Sequence, residues 1–99
     1  MNIQALMKQA QSLQKDMLKT KGEIDEMEFT AESSFVTVKV NGKKEVLKVS
    51  IKPDSDFDIN DMEMVEEMIQ VAINDALNQV DKMTEKKMGK YANAMPGLF

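Results

Sequence analysis

Ninety-nine residues suffice for one domain with a modest core, and 42% apolar with 30% charged residues is the balance of a folded chain rather than a disordered one. With neither cysteine nor histidine, disulfides, thiolate nucleophiles, cysteine-ligated metals and the usual general base are all excluded. The formal net charge of −4, taken as an average, argues against a polyanionic partner.

The average conceals a strong segregation. Residues 1–22 carry a net +3, residues 23–32 a net −5, residues 33–53 a net +4, residues 54–81 a net −9 and residues 82–99 a net +3. All 13 basic residues are lysine. Lysine is a flexible point charge suited to phosphates, whereas reading of guanine edges is most often done by the planar fork of arginine. A lysine-only protein that binds DNA is therefore expected to discriminate weakly between sequences. The chain start lacks the long apolar stretch of a signal peptide, and no run approaches the roughly 20 apolar residues of a membrane span. The expected setting is the cytoplasm, without membrane contact.

From Ile3 to Met27 the apolar residues recur at helical spacing. Ile3, Ala10, Met17 and Ile24 repeat every seven, and Leu6, Leu13, Thr20 and Met27 follow each by three, a heptad seam with one polar member. Lys8 and Lys15 lie opposite this seam, where a plain solvated face is the ordinary alternative to a binding role. About 25 helical residues span roughly 37 Å, more than a six-residue strand of about 20 Å. Part of this helix must project or find a partner.

From Phe29 to Pro53 the period changes to two. Glu28 to Ser33 predicts a first strand; Val36, Val38 and Val40 mark the second, and Leu47, Val49 and Ile51 the third. Asn41-Gly42 is a strong hairpin signal, because both residues tolerate the positive φ of a two-residue type I′ turn. That turn would set Val40 against Lys43, Lys39 against Lys44, Val36 against Leu47 and Phe35 against Lys48. One face would then gather Val36, Val38, Val40, Leu47, Val49 and Ile51 as core. The other would gather Phe35, Lys39, Lys44, Lys48 and Lys52 with no acid, an arrangement that costs stability by like-charge repulsion. It hints at an anionic partner; lysines splayed into water are the bland alternative.

A second helix is predicted from near Asn60, where Asn60-Asp61-Met62-Glu63 has capping-box spacing and the first turns are acidic. Its apolar stripe runs through Val65, Met68, Ile69, Ala72, Ile73, Ala76, Leu77, Val80 and Met83. Lys82, Lys86 and Lys87 fall toward the negative end of the dipole, Gly89 is expected to end or loosen the helix, and Met95 to Phe99 reads as a non-helical tail. The result is an α+β domain over residues 1–99: long helix, three-stranded antiparallel meander, second long helix.

No residue pattern selects a catalytic site. Asp54-Ser55-Asp56-Phe57-Asp58-Ile59-Asn60 opens like a calcium loop, but the sixth position is Ile59 rather than glycine and the twelfth is Val65 rather than glutamate. The four glycines are scattered singly, so no phosphate-binding loop exists, and without histidine the usual nucleophilic triad cannot be built. No metal and no cofactor is expected. Ten methionines are many for this length; they read first as filling of irregular core space, and alternatively as an adaptable groove for apolar segments.

Several segments in order resemble the YbaB/EbfC family of bacterial nucleoid-associated proteins. Met7-Lys8-Gln9-Ala10-Gln11 with Leu13-Gln14 and Met17 resembles its first helix. Val36-Thr37-Val38-Lys39-Val40-Asn41-Gly42 and Val49-Ser50-Ile51-Lys52-Pro53 resemble its second and third strands. Glu66-Glu67-Met68-Ile69 with Ala72-Ile73-Asn74-Asp75-Ala76 resembles its second helix, and Pro96-Gly97-Leu98-Phe99 its tail. The chain departs from it in the short, glycine-free Glu32-Ser33-Ser34-Phe35 and in the lack of arginine. The resemblance implies a tweezer-like homodimer with projecting helical arms that binds double-stranded DNA in the nucleoid and is not an enzyme. The lysines it points to are those of the arms, Lys8, Lys15 and Lys19 with Lys82, Lys86, Lys87 and Lys90. The runner-up is the hairpin face, Lys39, Lys44, Lys48 and Lys52. A reading of another class is a protein-interaction or chaperone-like dimer with a Met-rich apolar groove.

The side chains at the two deciding positions of the acidic loop give a first prediction. Millimolar calcium should leave the melting temperature where chelator leaves it; a substantial rise would mean that Asp54 to Asn60 holds the ion without the missing glycine and glutamate.

Overall fold

A computed structural model describes residues 2–53 and 57–92. Helix α1 (Ile3–Asp25) is followed by strands β1 (Glu28–Ser33), β2 (Val36–Asn41) and β3 (Val46–Ile51), a 3₁₀ turn over Ile59–Asp61, and helix α2 (Met62–Ala92). The sheet is an antiparallel meander in the order β1-β2-β3. This is the α+β order expected from the periodicities. The acidic run at residues 54–56 and the tail at residues 93–99 lie outside the described residues, so the calcium-loop and tail expectations are not addressed by the structure.

Asn2 starts α1: its side-chain oxygen accepts from the Gln4 N–H at 3.0 Å and the Ala5 N–H at 3.4 Å, a cap of about 1 kcal/mol. The heptad seam is covered only in its second half. Met17 and Ile24 are buried with Met88 and Tyr91 of α2, and Leu13 and Met27 pack against them. Ile3 and Leu6 are 70% and 48% exposed. The first half of α1 therefore projects, and the chain measures 72 × 19 × 14 Å.

The main core forms where α2 crosses β1 and β2. Phe29, Ala31, Val36, Val38 and Val40 from the sheet meet Val65, Ala72, Ala76 and Val80, and Met68, Ile69, Ile73, Leu77 and Met83 close its margin. Every member of the predicted α2 stripe is thus at the core. Of the three methionines at the start of that helix, Met68 packs against the core while Met62 and Met64 are exposed.

The β2–β3 hairpin differs from the expected one. Val36 pairs with Ile51, Val38 with Val49 and Lys39 with Lys48, and an irregularity after Lys39 sets Val40 against Val46. The loop holds three residues rather than two. Asn41 organises it: its side-chain oxygen accepts from the N–H groups of Lys43 and Glu45, its own N–H donates to the Glu45 carbonyl, and Lys44 takes the positive φ of 65°. A turn followed by a left-handed residue is a standard three-residue hairpin. The two-residue turn instead joins β1 to β2 through Ser34, at φ 54°, and Phe35.

Four further expectations are corrected with it. Leu47, Val49 and Ile51 are not core but 41–47% exposed, because α2 lies over β1 and β2 and leaves β3 as an uncovered edge. Phe35 leaves the lysine face and meets Phe57 edge-on, ring centroids 5.9 Å apart, at the margin of the core. The cap of the second helical segment is Asp58 rather than Asn60. Its side chain accepts from the Asn60 N–H while its own N–H donates to Asp61, so a 3₁₀ turn precedes α2. Nor does Gly89 end the helix, which continues to Ala92. Burial of Met88 and Tyr91 on either side of it, at roughly 1.5–3 kcal/mol for a large apolar side chain, outweighs the ~1 kcal/mol cost of a helical glycine.

Gly42 is needed for space rather than for its dihedral freedom. It is buried at the hairpin tip, its N–H donates to the Met27 carbonyl at 3.1 Å, and a Cβ there would collide with the Ile24 carbonyl and approach the Asp25 Cα to 2.9 Å. Gly42→Ala should destabilise the fold by about 1–3 kcal/mol, read as a lower denaturant midpoint. An unchanged midpoint would mean that the tip does not rest on the end of α1.

Candidate nucleic-acid interface

The lysines singled out in the sequence fall into three spatial groups, and their grouping differs in part from their order along the chain. All seven arm lysines, Lys8, Lys15, Lys19, Lys82, Lys86, Lys87 and Lys90, are exposed. What joins the two ends of the chain is the small apolar cluster of Met17, Ile24, Met88 and Tyr91, reinforced by the Tyr91 hydroxyl 3.5 Å from the Thr20 hydroxyl. The segment holding Lys15 and Lys19 is thereby packed along the segment holding Lys87 and Lys90. Lys90 lies over the Tyr91 ring, its Nζ 5.1 Å from the centroid, which holds an ammonium at this junction by a cation–π contact. Lys8 sits three turns further out, about 18 Å beyond Thr20 along the axis, on the half of α1 that projects.

Lys82 and Lys86 form a second group. One turn apart on α2, they border a concavity of about 290 Å³ with Phe29, Gln79 and Met83, and Gln79 donates to the Thr30 carbonyl at 3.0 Å. These two lysines lie beside β1 rather than at the arm junction. The stretch from Lys82 to Lys90, continuous in sequence, is thus divided between sheet and arm.

The hairpin lysines make the third group. Lys39 faces Lys48 across β2 and β3, not Lys44 as the two-residue turn would require. Lys44 turns instead to α2 and pairs with Asp81 at 2.6 Å. The face is also less uniformly basic than the strand pattern implied, because β1 brings acids to it: Glu28 approaches Lys39 at 3.7 Å, and Glu32 stands opposite Thr37. The sequence reading missed three hydroxyls here, those of Thr30, Thr37 and Ser50, which line a concavity of about 160 Å³ with Lys39 and Lys48. Their alternation with apolar residues was visible, but only the register brings them together.

The acidic start of α2 is distant from the arm. Glu63, Glu66 and Glu67 are exposed near the first turn, and some 23 residues of helix, about 35 Å, separate Glu63 from Lys86. That exceeds several Debye lengths of about 8 Å at physiological salt, so an anion at the arm is little affected by these carboxylates. Among the described residues no cluster of three or more acidic side chains could hold a metal ion, and no described helix is long and apolar enough to cross a membrane.

The chain is 47% identical to a nucleoid-associated protein of Clostridium novyi (strain NT), over 100% of its own length and 90% of that protein. It is 42% identical to one of Lactococcus lactis subsp. lactis, over 97% and 98% of the two chains. A crystal structure of an uncharacterised protein from Helicobacter pylori shares the fold with a TM-score of 0.70 at 20% identity, covering 87% of this chain and 91% of that one. Residues 1–95 match the model of the YbaB/EbfC DNA-binding family. By sequence over nearly its whole length, the chain belongs to the YbaB/EbfC DNA-binding family.

Proposed function

We propose that the protein is a homodimer that coats duplex DNA in the bacterial nucleoid through lysine–phosphate contacts of its helical arms, with little sequence preference and no catalytic role. The observation that carries this reading is the junction of Met17, Ile24, Met88 and Tyr91. It packs the two net-basic ends of the chain side by side, tens of ångströms from the acidic start of α2. Lys8, Lys15, Lys19, Lys87 and Lys90 are the primary contacts, with Lys82 and Lys86 adjoining them from the sheet side. Family membership supports DNA as the partner, and the nucleoid-associated relatives support the setting. The absence of arginine favours phosphate contacts over reading of base edges.

The dimer is supported by the surface that a single chain leaves uncovered. Among the described residues β3 is an edge strand whose outer backbone groups lack a ladder partner, and Val46, Leu47, Val49 and Ile51 along it are exposed. An apolar edge of this kind templates pairing with another strand, and a second copy covers it most simply. Met62, Met64 and Val71 add exposed apolar surface on α2, and the bare half of the α1 seam contributes at the arms.

Sedimentation at micromolar concentration should give twice the 11.2 kDa chain mass, and Val49→Asp should shift it toward the monomer. A native chain that sediments as a clean monomer removes the tweezer arrangement.

Neutralising Lys8, Lys15, Lys86 and Lys87 together to alanine should nearly abolish binding to unrelated duplexes alike while leaving the dimer folded. Each lost contact should lower the log-log salt slope by about 0.9 on B-DNA. Normal binding by that variant, with loss on substituting Lys39, Lys44 and Lys48, would assign the DNA surface to the sheet instead. Binding insensitive to salt would favour capture of apolar segments around Met62 and Met64.

A further inference from the structure

We propose that the outer face of the sheet holds a second anion site, a phosphate-binding cradle built from Lys39 and Lys48 with the hydroxyls of Thr30, Thr37 and Ser50. The strand registers create it. Lys39 on the central strand has Thr30 as its neighbour on β1 and Lys48 as its neighbour on β3, while Thr37 stands opposite Ser50. Val36, Val38 and Val40 are buried on the α2 side, so the alternating residues Thr37 and Lys39 point away from the helix. The five side chains line one shallow concavity of about 160 Å³, large enough for a phosphate group.

The electrostatics within this face are unfavourable, which is what points to an anionic ligand. Two ammonium side chains placed directly opposite on neighbouring strands repel. Glu28 relieves this only in part, from the Lys39 side, at 3.7 Å and with both groups about half exposed. Among the described residues Lys48 is paired with no carboxylate. An anion seated between the lysines removes the repulsion, with Glu28 and Glu32 flanking Thr30 along the β1 side of the cradle. The donor set selects its chemistry: two ammonium groups and three hydroxyls offer more donors than the two oxygens of a carboxylate can use, whereas a phosphate group presents more acceptor oxygens. The cradle lies across the sheet from Lys82 and Lys86, so it is separate from the proposed arm surface. A DNA phosphodiester as occupant rests on the function proposed above; a free phosphate or a phosphorylated small molecule does not.

The test is amide NMR on the full-length chain, titrated with inorganic phosphate against sodium chloride of equal ionic strength. Saturating shifts are expected at Lys39, Lys48, Ser50 and Thr37, lost in Lys48→Gln and retained in Lys48→Arg. Because Lys48→Gln also removes the repulsion, its melting temperature should be equal to or above that of the native chain, which separates loss of a site from loss of the fold. Shifts no larger than those with chloride, or shifts that persist in Lys48→Gln, overturn the proposal. A plain duplex added in parallel identifies the source. Movement of the cradle amides assigns the site to the nucleic-acid backbone, and movement of the arm amides alone assigns it to a small phosphate. If the duplex moves neither set, the DNA-coating function fails while the phosphate titration still decides the cradle.

Discussion

The direction of α1 relative to the sheet is set at one crowded point, where the tip of the β2–β3 hairpin rests on the C-terminal end of that helix. Gly42 lies so near the Ile24 carbonyl that no side chain fits between them, and its N–H is bound to the Met27 carbonyl. The same turn of helix buries Ile24 against Met88 and Tyr91 of α2. One short segment is therefore gripped from the sheet and from the second helix at once. With its end clamped in this way, the remainder of α1 has nowhere to go but outward.

The clamp also explains how a protein of net negative charge can present a basic surface. Lysines near residue 15 and near residue 87 are remote in sequence, and each end alone carries only a net +3. The apolar junction places the two segments in contact, and the length of α2 holds its acidic first turns beyond the reach of electrostatic coupling at physiological salt. Charge segregation along the chain becomes charge segregation in space because α2 is one uninterrupted helix. A break at Gly89 would have detached Tyr91, and with it the contact to Thr20.

The sheet is finished on one side only. α2 covers β1 and β2, so three valines of the central strand are fully buried while the corresponding residues of β3 are exposed. The uncovered apolar edge points to assembly rather than to a ligand cavity. On the opposite face the same sheet places two lysines in register with little compensation. The two faces thus carry different unfinished business, apolar on one and cationic on the other.

What the sequence determined by itself was the spacing within each element: the heptad seam of α1, the period-two strands and the apolar stripe of α2, all of which follow from the 3.6- and 2-residue repeats of the backbone. The lysine zones were legible for the same reason, since composition needs no fold. The tertiary structure decided what depends on a neighbour distant in the chain. Asn41-Gly42 is compatible with either a two- or a three-residue turn, and the three-residue form is the one observed where Gly42 meets Ile24 and the Asn41 side chain ties down Lys43 and Glu45. That choice moved the partner of Lys39 from Lys44 to Lys48, freed Lys44 to reach Asp81, and set Ser50 opposite Thr37. Likewise Gly89 reads as a helix end only until Met88 and Tyr91 are buried on α1, because a glycine's cost is local while the burial that overrides it comes from the other end of the chain.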